Sequence, residues 1–428
     1  MADAATADPT ASRMGGRAVI AGAIGNFIEW YDYAVYGYLA GTIATLFFPA
    51  GDRLAALLST FAVFALGFVI RPLGAVVFGH LGDRIGRRPA LSAAIILMGL
   101  ATFAIGVLPT YAQIGAFAPA LLVLARLAQG FSAGGEWGGS AAFLVEHAPP
   151  GRRAFFGSWH QFGVVGGLLA GASFTALLPV LLGDVRSGWR IPFLVGLALA
   201  AIGLYVRLRI AETPSFRALE RTGEVAHAPL REAVRGNRLA TLTAFGIALL
   251  PGVAFYATLV YVPTYLVEVV GLSSGWALSA TVVALVTTLL FTPVMGALSD
   301  RVGRRPMLIA AGVGYVVLTY PVFLLLAQRA FGAVLAAEVL IGLLFAVLGS
   351  VLPATLVELF PTQVRYSALS IGYNFSVAVF GGTAPFLATF LVAVTGSRAS
   401  PSFLVIAGGL VSLVIAFRMR ETFRAPLG

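Results

Sequence analysis

The chain has 428 residues, of which 59% are hydrophobic and only 11% charged, where a soluble protein carries about 25% charged residues. Its mean hydropathy is +0.92 and its formal charge of +10 rests on arginine, because the sequence holds no lysine and no cysteine. That composition excludes a soluble globular core, disulfides, a thiolate metal site and a cysteine nucleophile, and with no lysine it excludes the Walker phosphate loop and any Schiff base.

Crossing ~30 Å of hydrocarbon takes about 20 apolar residues in a helix, and twelve stretches qualify. The first seventeen residues are polar, with Asp3, Asp8, Arg13 and Arg17, and the apolar run that follows is too long and too charged for a cleaved signal peptide. Six spans are expected at about Ala18 to Phe47, Leu54 to Phe78, Ala90 to Leu108, Phe117 to Leu144, Phe155 to Leu182 and Ile191 to Val206. Six more follow at about Leu239 to Val267, Trp276 to Leu298, Met307 to Ala327, Gly332 to Val357, Tyr366 to Val394 and Ser402 to Phe417. The expected fold is an all-α membrane protein of twelve transmembrane helices, with six-helix units over 1–210 and 239–428 and a linker over 211–238. That linker, taken from Arg207 to Arg238, holds seven arginines and four glutamates punctuated by Pro214, Gly223, Pro229 and Gly236, which predicts short amphipathic surface helices. Pro251, Pro263, Pro293, Pro353 and Pro385 fall inside spans and predict bends.

The chain is a duplication. Gly79-His80-Leu81-Gly82-Asp83-Arg84-Ile85-Gly86-Arg87-Arg88-Pro89 returns as Gly296-Ala297-Leu298-Ser299-Asp300-Arg301-Val302-Gly303-Arg304-Arg305-Pro306. Leu144-Val145-Glu146, Pro149, Arg153 and Ser158 likewise return as Leu356-Val357-Glu358, Pro361, Arg365 and Ser370. Both arginine-dense copies must be loops at a membrane surface. With the N-terminus inside, alternate loops hold 21 arginines on one side and five on the other, so both termini are expected in the cytoplasm. The positive charge is then a topology signal drawn to anionic lipid, with no call for nucleic acid.

The Gly-x-Leu-x-Asp-Arg-x-Gly-Arg-Arg motif, once per half, resembles the loop motif of the major facilitator superfamily. Gly25-Asn26-x-x-Glu29-Trp30-Tyr31-Asp32-Tyr33, Arg71-Pro72-Leu73-Gly74, Arg126-x-x-Gln129-Gly130-Phe131-Ser132-x-Gly134-Gly135-Glu136-Trp137-Gly138-Gly139 and Gly157-Ser158-Trp159 are similar to its metabolite:proton symporter branch. Members of that branch carry organic acids such as 2-oxoglutarate, citrate and shikimate, or zwitterions such as proline and betaine. The resemblance covers essentially the whole chain and implies two six-helix domains rocking about a central site. Osmosensing members of the branch carry a long C-terminal coiled coil, whereas this chain stops about ten residues after its last span, which argues against an osmosensor.

Six ionisable residues fall inside spans: Glu29, Asp32, Arg71, Arg126, Glu136 and Glu338. Each costs ~3 kcal/mol or more facing lipid, so each should face a partner or the cavity. Arg71 and Glu136 sit at matching depths and are expected to pair, while Glu338 lies near the outer end of helix ten, within reach of the interface. Asp32 lies ~21 Å from the cytoplasmic start of helix one and Arg126 ~14 Å from the outer start of helix four, so the two meet near the midplane. The resemblance implies the same pair for proton coupling, with Glu29 one turn away able to share the proton. Burial and a nearby arginine pull the aspartate in opposite directions, which leaves such a pair poised. Asn26, Trp30, Tyr33, Tyr36, His160, Gln161, Tyr256, Tyr261, Tyr265, Tyr373 and Asn374 are candidates to wall the cavity; packing and hydrogen bonding are the plainer reading of each taken singly.

The resulting expectation is a proton-coupled secondary transporter, not an enzyme, in the cell inner membrane. It has no metal and no cofactor beyond the coupling proton, and its functional unit is a monomer. Arg126 and Arg71 point to a small organic anion, a mono- or dicarboxylate, as substrate. The alternatives are a zwitterionic amino acid or betaine held by Glu29 and tyrosine faces, and an uncoupled facilitator or transport-fold receptor. In the repeated loops Gly79, Asp83, Arg84, Gly86, Arg87 and Arg88, with Asp300, Arg301, Arg304 and Arg305, are expected to form a gate. Asp83 should hold arginines or a helix N-terminus of the other half, and Asp300 should matter less.

Overall fold

The computed structural model describes residues 9–49, 53–183, 188–226 and 229–427; Asp3, Asp8 and Arg186 lie outside them. The first helix, α1 (Pro9–Tyr38), is long enough to span a membrane and carries Glu29 and Asp32, with a short helix, Ala40–Phe47, continuing it. Among the described residues eleven further helices are long and apolar enough to cross. They are α2 (Arg53–Arg84), α3 (Arg87–Val107), α4 (Phe117–Glu146), α5 (Arg153–Leu182), α6 (Arg190–Leu208), α7 (Arg238–Val260), α8 (Ser274–Val302), α9 (Arg304–Leu326), α10 (Phe331–Glu358), α11 (Arg365–Thr395) and α12 (Pro401–Arg418). Between α6 and α7 lie two short helices, Pro214–Thr222 and Pro229–Gly236. The first of them opens on Thr213, whose hydroxyl accepts the Phe216 N–H at 3.3 Å, and ends at a left-handed Gly223.

Helix α1 packs along α5, α2 along α4 and α3 along α6, while α8 pairs with α10 and α9 with α12. Between the two sets, α2 meets α11 and α5 meets α8. Small residues allow both crossings: Gly79 and Gly82 of α2 abut Ser367 and Tyr366, and Gly296 of α8 abuts Ala154 and Ser158.

The proline breaks concentrate in α7 and α11. Just past Pro251 the backbone widens into π-helical turns, Phe255–Val260 and again Leu266–Val270, with the Tyr261 N–H reaching back five residues to the Tyr256 carbonyl at 2.9 Å. In α11 a third such turn, Val377–Gly381, precedes Pro385. Pro293 and Pro353 lie instead within continuous helices.

Candidate functional site

Residues 29, 32, 33 and 36 of α1 recur at helical spacing, which turns one face of that helix into the centre of the first six helices. Arg126 Nη1 donates to Asp32 Oδ2 at 3.3 Å and to Gln129 Oε1 at 2.7 Å. Gln129 Nε2 donates to the same Asp32 oxygen at 2.6 Å and to Thr102 Oγ1 at 2.9 Å. The guanidinium lies over the rings of Tyr33 (5.0 Å), Tyr36 (4.3 Å) and Phe64 (5.1 Å). Tyr36 is anchored by its hydroxyl, which donates to the Thr60 carbonyl at 3.2 Å. Asp32 Oδ1 and Arg126 Nε and Nη2 are buried without a hydrogen-bond partner among the described residues.

A second ion pair lies beside the first. Arg71 Nη2 donates to Glu29 Oε1 at 2.7 Å, and its guanidinium lies 5.8 Å from the Tyr33 ring and 5.6 Å from the Phe68 ring. Tyr33 thus touches both guanidiniums. Tyr256, from the second six helices, has its ring 6.3 Å from that of Trp30. Trp30 packs edge-on against Phe255 at 4.8 Å and Phe68 against Tyr256 at 5.4 Å. Glu29 Oε2, Arg71 Nε and Nη1, Trp30 Nε1 and the Tyr33 hydroxyl are buried with no hydrogen-bond partner among the described residues. Two arginines and two carboxylates therefore share the centre with no net formal charge.

Toward the end bearing the repeated loops, Trp137 stacks on Tyr373 at 3.6 Å and 13°, and His160 sits edge-on to Trp137 at 4.7 Å. These residues lie ~10–14 Å along their helices from the loop end, against ~20 Å for Arg71. Asn374 Nδ2 donates across to the Gly134 carbonyl at 3.0 Å, and Gln161 abuts Gly349. Tyr261 is buried in the apolar cluster with Tyr265, whose hydroxyl donates to the Arg398 carbonyl at 3.0 Å.

Three expectations fail here. Arg71 takes Glu29 as its partner, so Glu29 is engaged away from the Asp32 pair. Glu136 is bound by Arg207, which also donates to the carbonyls of Ala21 at 3.2 Å and Leu91 at 2.8 Å. Arg207, expected in the linker, belongs to α6 and is 3% exposed. Glu136 is thereby withdrawn from the centre and joins α1, α3, α4 and α6, while Asn26, whose Nδ2 donates to Ser140 Oγ at 2.6 Å, ties α1 to α4. Glu338 is 0% exposed and does not reach an interface.

At the loop end the duplication becomes a two-sided latch. Asp83 accepts the Tyr366 N–H at 3.1 Å and the Ser367 N–H at 2.7 Å, capping α11, and Arg87 lies 3.2 Å from it. Asp300 accepts the N–H groups of Ala154 at 2.9 Å and Phe155 at 2.8 Å, capping α5, with Arg304 at 3.0 Å. Each carboxylate sits at the positive end of a helix from the other half. The bonds match on the two sides in length, but Asp83 is fully buried and Asp300 partly exposed. Glu146 receives Arg365 at 2.9 Å and Arg87 at 3.3 Å, while Glu358 receives Arg304 at 2.9 Å and Arg153 at 3.5 Å. Gly86 (φ 106°) and Gly303 (φ 105°) turn the chain where a side chain would be strained. Arg84 and Arg301 are exposed, and Arg88 and Arg305 donate to the carbonyls of Leu208 at 2.8 Å and Phe417 at 2.7 Å.

One part of the latch went unread in the sequence. Thr213 donates to Glu146 at 2.5 Å and Thr422 to Glu358 at 2.7 Å. Glu212 accepts the Arg88 N–H at 2.9 Å, and Glu421 accepts those of Arg304 at 2.9 Å and Arg305 at 3.0 Å. The signal was available, because Arg209-x-x-Glu212-Thr213 recurs as Arg418-x-x-Glu421-Thr422.

Residues 18–241 and 219–427 both match the family described as "Sugar (and other) transporter". The chain belongs to this family. The transporter is 36% identical over 423 residues to the proline/betaine transporter of Escherichia coli (strain K12), covering 96% of this chain and 84% of that protein. It is 38% identical over 425 residues to the ectoine/proline transporter ProP of Corynebacterium glutamicum, covering 94% and 84%. In fold it is similar to the major facilitator superfamily proton:xylose symporter XylE bound to 6-bromo-6-deoxy-D-glucose, with a TM-score of 0.82 at 20% identity over 97% of this chain and 98% of that one. It is thus a multi-pass membrane transporter of the major facilitator fold and not an enzyme.

Proposed function

We propose that the transporter is a proton-coupled symporter of a zwitterionic amino acid or betaine in the cell inner membrane. The observation that carries this reading is charge balance at the centre. Glu29 already neutralises Arg71, and Asp32 already neutralises Arg126. An organic anion would bring an uncompensated charge into a buried site, at a cost of several kcal/mol. A zwitterion brings none. Its carboxylate can take the free donors of Arg71, and its cation can rest against the free oxygen of Glu29 and the faces of Trp30, Tyr33 and Tyr256. The names of the relatives support the same substrate class over the carboxylate drawn from arginine alone.

Asp32 is the proton site in this reading. Its protonation leaves Arg126 without a counter-charge, and the Tyr33 ring, which lies against both Arg126 and Arg71, links that change to the substrate's site. The test pairs two assays in proteoliposomes, uphill uptake of labelled betaine under an imposed pH gradient and counterflow exchange without one. Asp32→Asn should accumulate less than wild type and keep exchange, and excess betaine or proline should compete where citrate does not. Accumulation by Asp32→Asn to the wild-type plateau would place the proton elsewhere, competition by citrate would restore the anion reading, and wild-type uptake indifferent to a protonophore would mean an uncoupled facilitator.

A further inference from the structure

Glu338 stands apart from every charge described so far. It lies on α10, 0% exposed, and neither carboxylate oxygen has a hydrogen-bond partner among the described residues. Val334, Ala337 and Ile341 beside it on α10 share one apolar cluster with Ala280 and Ala284 of α8 and Phe323 of α9. Of the helices packed on α10, α8 offers no titratable side chain before Asp300 at its loop end, and α9 offers Tyr315, Tyr320 and its two loop-end arginines. Across the interface α5 offers Arg153 and His160, and α4 offers Arg126, Glu136 and Glu146; the four charged residues have the partners given above, and His160 lies against the Trp137 ring with neither ring nitrogen hydrogen-bonded among the described residues. The remaining neighbours, α7 and α11, offer tyrosines, with arginines only at the loop end. Among the described residues neither oxygen of Glu338 is hydrogen-bonded to any of these groups.

The internal repeat identifies the position. Leu144-Val145-Glu146 ends α4 and Leu356-Val357-Glu358 ends α10, and the two glutamates occupy matching places in the latch. Twenty residues before Glu146 is Arg126, and twenty before Glu358 is Glu338. Both therefore lie ~30 Å along their helices from the latch. At the depth where the first half holds an arginine paired to the proton site, the second half holds an unpaired acid. An ionised carboxylate there has nothing to offset its burial, so the group persists as the neutral acid.

We propose that Glu338 is a second proton-binding site of the transport cycle, protonated in this closed form and releasing its proton to entering water when α10 and α7 part. The step turns a carboxylic acid and a water into a carboxylate and a hydronium ion, with no other reactant. It rests on the proton-coupled reading above and adds a site in the other half of the molecule. The test is the plateau of labelled betaine accumulation in proteoliposomes, with the membrane potential clamped at zero and a pH gradient of one unit. One proton per substrate concentrates betaine ~10-fold and two concentrate it ~100-fold. Wild type should plateau near 100-fold and Glu338→Gln, which copies the neutral acid in shape, near 10-fold. The plateau is thermodynamic, so a slower variant still reports it. A wild-type plateau near 10-fold, or equal plateaus in the two proteins, overturns the second site, whereas no response to the gradient overturns proton coupling itself. A measurement that needs no variant is dicyclohexylcarbodiimide treatment of the wild-type protein, since that reagent modifies protonated buried carboxyls. Modification of Glu338 that slows as pH rises supports the site, and an unmodified Glu338 at acid pH overturns it.

Discussion

Replacing Asp83 by asparagine tests whether the latch sets the conformational equilibrium. Asp83 is buried and gives one oxygen to each of two N–H groups at the start of α11, bonds that exist only while the halves are closed at this end. A hydrogen bond to a buried charged group contributes about 1.5–3 kcal/mol, and the positive end of the helix adds ~1 kcal/mol. Asn keeps one acceptor, sets an NH2 against the second N–H, and leaves Arg87 to Glu146 and the carbonyls of Gly82 and Thr362. The closed form should lose about 2–3 kcal/mol, a roughly 30- to 150-fold shift toward the open form. The chain has no native cysteine, so Ser370→Cys, buried under the latch against Gly138, gives a single reporter. Maleimide labelling of that cysteine follows the open population and should accelerate by the same factor in Asp83→Asn. Asp300→Asn should shift labelling in the same direction through the loss of its own two bonds, and by a smaller factor, because Asp300 is partly exposed where Asp83 is buried. An unchanged labelling rate in a well-folded Asp83→Asn protein would refute the latch.

Two further outcomes bear on stability. A Cβ at Gly25 would overlap both the Glu136 carboxylate and the Arg207 guanidinium, so Gly25→Ala should break a buried ion pair and cost about 3–5 kcal/mol, read as a lower midpoint in a thermal-shift scan. Burial pushes the Glu212 carboxyl above the usual carboxylate range, against the Thr213 and Arg88 N–H groups and the Arg87 charge. A raised folded value gives a stability contribution that is full below the ordinary glutamate range and lost as pH rises through the folded value. Glu212→Gln should therefore flatten that acid-to-neutral decline in melting temperature relative to wild type, and an identical pH profile in the two proteins would count against it.

How far the sequence could be read follows from what kind of quantity each feature depends on. Hydropathy and length locate spans, so eleven of the twelve pass as apolar crossings and α1 is legible from its flanks despite Glu29 and Asp32. Counting residues at 1.5 Å each gives depth, and depth brought Asp32 to Arg126. Depth does not give the direction a side chain takes around its helix. Arg71 and Glu136 match in height, yet Glu136 turns toward α6 past the bare backbone of Gly25, and Arg71 turns toward α1. Arg207 was misread for a related reason. A cation in the last turn of a span looks like the start of a polar linker, and only packing shows that it points inward, onto the carbonyls of α1 and α3. The repeat was legible where it was loud, in the Asp-Arg-x-Gly-Arg-Arg loops, and missed where it was reduced to an Arg, a Glu and a Thr.

The duplication is kept at the latch and abandoned at the centre, and the zwitterion reading supplies a physical reason for the difference. A latch between two halves needs each half to hold the other, and reciprocal caps, Asp83 on α11 and Asp300 on α5, spread that load over both sides of the interface. A site for a dipolar ligand has the opposite requirement. Two equivalent Glu–Arg pairs related by the repeat axis would bind a zwitterion equally well in two reversed orientations, and each orientation would compete with the other for the closed state. With Glu29 and Arg71 in one half, and the aromatic face of Tyr256 supplied by the other, the cation and the carboxylate each have one place to go. The ligand then bridges the halves in a single way, so its binding energy is available to bias one closed arrangement over its alternatives.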